Sequence, residues 1–150
     1  MTRTRLVVLA LVGVLAVYLG VSALIPSDTR RIRRVIEKGR QAIVERDLNG
    51  VMSIIDRTYD DDFGFNYGTL RGWFHNQFQA YDRIGCTIPV MSVEVHGRRA
   101  VCALTFWFTG YGRGGSAEDA LGDGAPVYQD KLVITLDKFP EGWLVTGAGQ

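Results

Sequence analysis

Three consecutive carboxylates, Asp60, Asp61 and Asp62, follow Tyr59 and precede Phe63-Gly64, the densest polar cluster in the chain. Such a group could supply a general base, ligate a divalent ion or hold a cationic ligand. Spacing narrows these options. A calcium loop alternates its ligands along the chain, whereas successive carboxylates do not converge on one ion, so no metal site is expected. Asp60 and Asp61 remain as candidates for a catalytic base. The plainer reading is a solvated loop in which the aspartates cap a turn while Tyr59 and Phe63 plug the core.

His75 is a further catalytic candidate. It lies on a helical stretch where Phe78 and Gln79, its neighbours one turn on, cannot share a metal with it. A hydrogen-bonded surface histidine is the plainer reading there. His96 sits beside a hairpin turn, facing Arg99. These are the only 2 histidines, and no Ser-His-Asp, Cys-His or paired-His arrangement emerges from their spacing. The segment Gly110-Tyr111-Gly112-Arg113-Gly114-Gly115 follows a strand, but no helix opening with Lys-Ser/Thr comes after it, so it reads as a flexible connection and not a phosphate loop. No cofactor is expected.

The cysteines, Cys86 and Cys102, fit neither a disulfide scaffold nor a metal site. A two-residue turn at Gly97-Arg98 sets His96 against Arg99, Val95 against Ala100 and Val93 against Cys102. At ~3.3 Å per residue Cys86 then lies roughly 20 Å from Cys102, far beyond the ~7 Å Cα limit for a bridge. Both are expected as free thiols, most simply in the core.

The elements that must position these residues change period along the chain. From Ser27 to Arg46, Ile32, Val35, Ile36, Ala42 and Ile43 recur at helical spacing, with Ser27 or Asp28 as cap. Asp47-Leu48-Asn49-Gly50 breaks the pattern and opens a short second helix with Leu48, Met52 and Ile55 on one side. Asp56 to Asn66 is a polar, aromatic-studded connection. A third helix, capped by Thr69 and running to about Tyr81, turns Leu70, Trp73, Phe74, Phe78 and Tyr81 inward.

After Gly85 the period becomes two. Met91, Val93 and Val95 alternate with Ser92, Glu94 and His96. On the return strand Ala100, Cys102, Leu104, Phe106 and Phe108 share one face, and Val101, Ala103, Thr105 and Trp107 the other. Tyr128 to Lys138 and Trp143 to Thr146 read as two more strands, with Pro140-Glu141-Gly142 turning between them. Helices followed by an antiparallel sheet make an α+β architecture with the helices on one sheet face.

Ahead of this domain, Leu6 to Ile25 carries no formal charge and ends at Pro26. A helix of that length, at ~1.5 Å per residue, reaches roughly 30 Å, the thickness of a bilayer's hydrocarbon core. Residues 1–26 are therefore expected as a transmembrane anchor, or uncleaved signal, and 27–150 as one folded domain. A cleaved signal peptide is the rival, given Arg3, Arg5 and the small residues Val21-Ser22-Ala23, but the apolar run exceeds the usual length of a secretory h-region. The expected location is a bacterial inner membrane, crossed once. Counting the cations after the run (Arg30, Arg31, Arg33, Arg34, Lys38, Arg40) places the domain in the cytoplasm. A signal-anchor arrangement places it outside, and the extracytoplasmic side is narrowly preferred.

The chain balances 17 Lys and Arg against 16 Asp and Glu, for a formal net charge of +1, so a general nucleic-acid surface is excluded. The basic cluster at Arg30–Arg34 reads instead as juxtamembrane, facing anionic head groups, or as a solvated first turn.

The order of elements resembles the NTF2-like superfamily, the cone-shaped fold shared with ketosteroid isomerase and SnoaL-type proteins. The resemblance is carried by Ile32-Arg33-Arg34-Val35-Ile36, by Ala42 to Ile55, by Tyr59-Asp60-Asp61-Asp62-Phe63-Gly64, by the helix Thr69 to Tyr81 and by the hairpin Val90 to Phe108. It implies about three helices on a curved sheet of about four strands, with a pocket at the cone mouth. Tyr59, Trp73, Phe78, Tyr81, Phe106 and Phe108 are then the candidate pocket residues, and Val101, Thr105 and Trp107 a candidate face for a homodimer. No isomerase or dehydratase catalytic set maps onto this chain residue by residue. The expected function is a membrane-anchored, noncatalytic module for a small apolar ligand or a partner protein. The alternative is an isomerase- or dehydratase-like enzyme with an aspartate base in the pocket.

Overall fold

The computed structural model describes residues 12–14, 16–17, 27–112 and 127–150, with the backbone alone at 127–129. Helix α1 spans Asp28–Val44, α2 Leu48–Met52 and α3 Tyr67–Ala80. Four strands follow: β1 (Arg83–His96), β2 (Arg99–Tyr111), β3 (Val127–Phe139) and β4 (Gly142–Gly149), antiparallel and in sequence order across one sheet. Among the described residues no helix is long and apolar enough to cross a membrane. The run Leu6–Ile25 lies outside the described residues except at 12–14, 16 and 17, which are helical and exposed.

Ser27 caps α1, its hydroxyl accepting from the Arg30 backbone N–H at 3.4 Å. Ile32, Ile36, Gly39 and Ala42 form the buried stripe. Asp28 ties the start of the helix to the β3–β4 hairpin, accepting from Lys138 Nζ at 3.1 Å and Trp143 Nε1 at 3.2 Å. Two guanidinium groups of α1 reach β1: Arg33 donates to the Met91 carbonyl at 3.2 Å and Arg40 to that of Cys86 at 3.0 Å. Asp47 caps α2. The cap of α3 is Asn66, three residues before the expected Thr69. The two form a reciprocal capping box, with Thr69 N–H donating to Asn66 Oδ1 at 3.0 Å and Asn66 N–H to Thr69 Oγ1 at 2.9 Å.

The first hairpin has the register expected from its turn, with Val93 opposite Cys102 and His96 opposite Arg99. Gly97 takes φ 64°, as the first position of a two-residue turn requires. A bulge between Thr87 and Val90 then pairs Cys86 with Phe108. Cys86 and Cys102 are buried free thiols. Ala100, Cys102 and Leu104 of β2 join Ile32, Leu136, Trp143 and Val145 in the core.

Strand β4 runs past the expected Thr146 to Gly149. Its tail Gly147-Ala148-Gly149 offers little apolar pattern, and its partner is backbone. The connection after α2 lies along the open edge of β4, with N–H groups of Asp56, Asp60 and Asp62 donating to the carbonyls of Val145, Thr146 and Ala148 at 2.9, 3.2 and 3.0 Å. A Cβ on Gly147 would stand 3.0 Å from the Asp60 carbonyl oxygen, so glycine is what permits this approach.

Candidate functional site

Between α1, the connection, α3 and the inner sheet face lies a cavity of about 310 Å³. Its walls are almost wholly apolar. Ile36 and Ile43 come from α1, Leu70, Trp73 and Phe74 from α3, and Leu104, Phe106 and Phe108 from β2. Phe63 and Trp73 line it while remaining 48% and 41% exposed, which sets them at its rim. Phe65, Trp73 and Phe74 meet edge to face, with ring centroids 6.2 and 5.0 Å apart, an arrangement that fixes the aromatic wall.

The charged side chains on the wall are Arg40 and Asp61, and the Tyr59 hydroxyl and Cys86 thiol are also there. Tyr59 O–H donates to Asp61 Oδ2 at 2.6 Å, while Asp61 Oδ1 accepts from the backbone N–H of Phe63 at 2.9 Å and of Phe65 at 2.8 Å. Burial, and then the hydrogen bond and charge of Asp61, push the Tyr59 phenol well above its ordinary pKa, so it stays protonated. Arg40 binds Glu37 through Nε and Nη2 at 2.9 and 2.6 Å, which raises its own pKa and holds the Glu37 carboxyl below the usual range. Burial raises the Cys86 thiol, so it is held as the neutral thiol and not the nucleophilic thiolate. Among the described residues, no buried polar side-chain atom lacks a hydrogen-bond partner. No group of three or more His, Cys, Asp and Glu there could hold a metal.

Tyr59, Asp61, Trp73, Phe106 and Phe108 thus stand on the cavity wall. Asp60 is exposed, and its backbone is bonded to the β4 edge, away from the wall. His75 points to solvent on α3, one position past Phe74, which is half-buried. Phe78 is buried behind Phe74, with ring centroids 5.8 Å apart, and Tyr81 meets Phe108 edge-on at 6.3 Å; both back the wall without lining it. Val101, Thr105 and Trp107 lie on the outer sheet face, with Trp107 45% exposed. Sequence reasoning missed Arg40, whose apolar neighbours Gly39 and Ile43 were the only signal. It also missed Ala148, which no periodicity marks.

No family model matches the chain, and no curated protein matches it. Solved structures do. A candidate aromatic ring hydroxylase from Novosphingobium aromaticivorans superposes with a TM-score of 0.69 at 16% identity, over 83% of this chain and 88% of its own. An NTF2-like superfamily protein from Salmonella enterica gives 0.67 at 12%, covering 81% and 88%. A candidate dehydratase of the NTF2-like family from Streptomyces avermitilis gives 0.65 at 13%, covering 81% and 93%. The chain has the NTF2-like fold. At these identities the likeness is one of fold, and the different activities attached to the neighbours show how little the fold fixes the chemistry.

Proposed function

We propose that this protein is a noncatalytic NTF2-like module that holds a small, neutral, apolar ligand in its cavity, tethered to a bacterial inner membrane by Leu6–Ile25. The observation that carries the reading is the state of the wall: about 310 Å³ of apolar space in which Arg40, Asp61 and Tyr59 are already engaged by the protein itself and Cys86 is a neutral thiol. The volume falls at the small end of the ~300–1,000 Å³ range of ligand pockets. An apolar guest gains from leaving water there, whereas a charged one would lose its hydration without finding an unengaged partner.

Native mass spectrometry of the detergent-solubilised full chain tests this, with the neutral bicyclic alcohol naphthol as probe. A one-to-one complex is expected, and it is expected to be lost in Ala148→Phe, which fills the wall beside Ile134, while circular dichroism shows that the variant is folded. Equal binding by both proteins, or by neither, overturns the reading.

A second reading keeps Asp61 as the base of a dehydratase-like enzyme. It is favoured by the placement of Asp61 beside Tyr59 on the wall and by the dehydratase-class neighbour. For that chemistry, Asp61 must release donors that now hold the loop together.

A further inference from the structure

The cations of α1 fall into two groups. Arg33 and Arg40 reach across to the carbonyls of β1, Arg40 partly buried and Arg33 still exposed. Arg30, Arg34 and Lys38 are exposed, and among the described residues none of their side chains makes a hydrogen bond or ion pair. Spaced by four residues, they form one stripe along the helix, on the side away from Ile32, Ile36 and Gly39. Arg31 flanks it, its charge felt by Asp28. The nearby acids do not neutralise the stripe: Glu37 is paired with Arg40 and Asp28 with Lys138, while Glu45, which keeps its charge, lies seven residues beyond Lys38 at the far end of the helix. The chain as a whole is nearly neutral at +1, so this positive field is local.

The geometry points to α1 as a docking surface for anionic phospholipid, lying flat on the head groups with Arg30, Arg34 and Lys38 against them. The stripe begins just after Pro26, which closes the apolar run. A cation held near an anionic bilayer surface gains about fivefold in partition, so a short stripe placed there by an anchor acts cooperatively with it. The occupant is a lipid surface because cations on a helix beside an apolar run meet head groups before any other polyanion. This step rests on the anchoring part of the function proposed above and not on the cavity. It also fixes an orientation, since the domain then rests on its α1 side while the outer sheet face, with Trp107, is turned elsewhere.

The test uses the full chain bound to phosphatidylcholine vesicles with and without one-third phosphatidylglycerol, and follows amide hydrogen exchange across Asp28–Val44. Exchange is expected to slow severalfold on the anionic vesicles. The difference is expected to vanish in high salt and in the triple variant Arg30→Glu/Arg34→Glu/Lys38→Glu. Glutamine at the same three positions gives the same comparison should the reversed variant fail to fold. Identical exchange on both vesicles, or a difference that survives the substitutions, overturns the proposal. Flotation with the zwitterionic vesicles alone isolates the apolar run: failure there with anionic binding intact refutes the anchor and leaves the stripe standing.

Discussion

Replacing Tyr59 with Phe removes one hydroxyl and keeps the ring that plugs the core. The hydroxyl is the donor to Asp61 Oδ2 at 2.6 Å, and Asp61 in turn holds the turn at Phe63 and Phe65 through two backbone N–H groups. A hydrogen bond to a charged acceptor contributes about 1.5–3 kcal/mol, and with Tyr59 only 5% exposed no water replaces it cheaply. Urea unfolding at pH 7 is therefore expected to show a loss of about 2 kcal/mol at unchanged m-value. A second signature lies at alkaline pH. The folded state raises the Tyr59 pKa, so above about pH 10 the unfolded chain releases a proton that the native chain keeps. Wild-type stability then falls by up to about 1.4 kcal/mol per pH unit from this group, present in full below pH 10 and lost above it. The Phe variant lacks that component, and the other tyrosines cancel in the comparison. Naphthol binding should stay within about twofold, because the hydroxyl serves the loop and not the guest. A variant as stable as wild type, with the same alkaline slope, refutes the argument that the pair is built into the fold.

Two glycine substitutions are expected to act in opposite directions. In Gly110→Ala the new Cβ would sit 2.6 Å from the Tyr81 ring, and thermal unfolding should show a loss of about 1–3 kcal/mol. In Gly72→Ala, on the exposed side of α3 with nothing within 4 Å, the same assay should show a gain of up to about 1 kcal/mol. Asp28 has a lowered pKa, first through Trp143 and then Lys138, so its contribution is present above pH ~4 and is lost as pH falls through the lower folded value. Asp28→Asn should accordingly flatten the acid limb of the stability curve measured by circular dichroism. Thiol titration of air-exposed protein should find both Cys86 and Cys102 reduced, reacting only in denaturant; one disulfide per chain would contradict the register.

Much of the scaffold is written locally. Ile32, Ile36 and Ala42 repeat at helical spacing, and Gly97-Arg98 fixes the first hairpin down to the pairing of Val93 with Cys102, because a two-residue turn leaves one register. From that register alone the two cysteines were separated. The uncharged run Leu6–Ile25 and the cations after it are likewise properties of sequence order. The cavity is different in kind. Asp60 and Asp61 are chemically identical neighbours, and only the path of the connection along β4 sends one to solvent and the other to the wall. Phe78 carried the same aromatic signal as Trp73, yet its position behind Phe74 removes it from the lining. The β4 tail was illegible because its partners are backbone groups far away in sequence, reached through glycines that carry no pattern. Periodicity reports which face of an element is apolar, since it arises within that element. Which apolar side chains enclose empty space, and which polar ones are already engaged, depends on how separate elements meet, and that is decided only when the chain has folded.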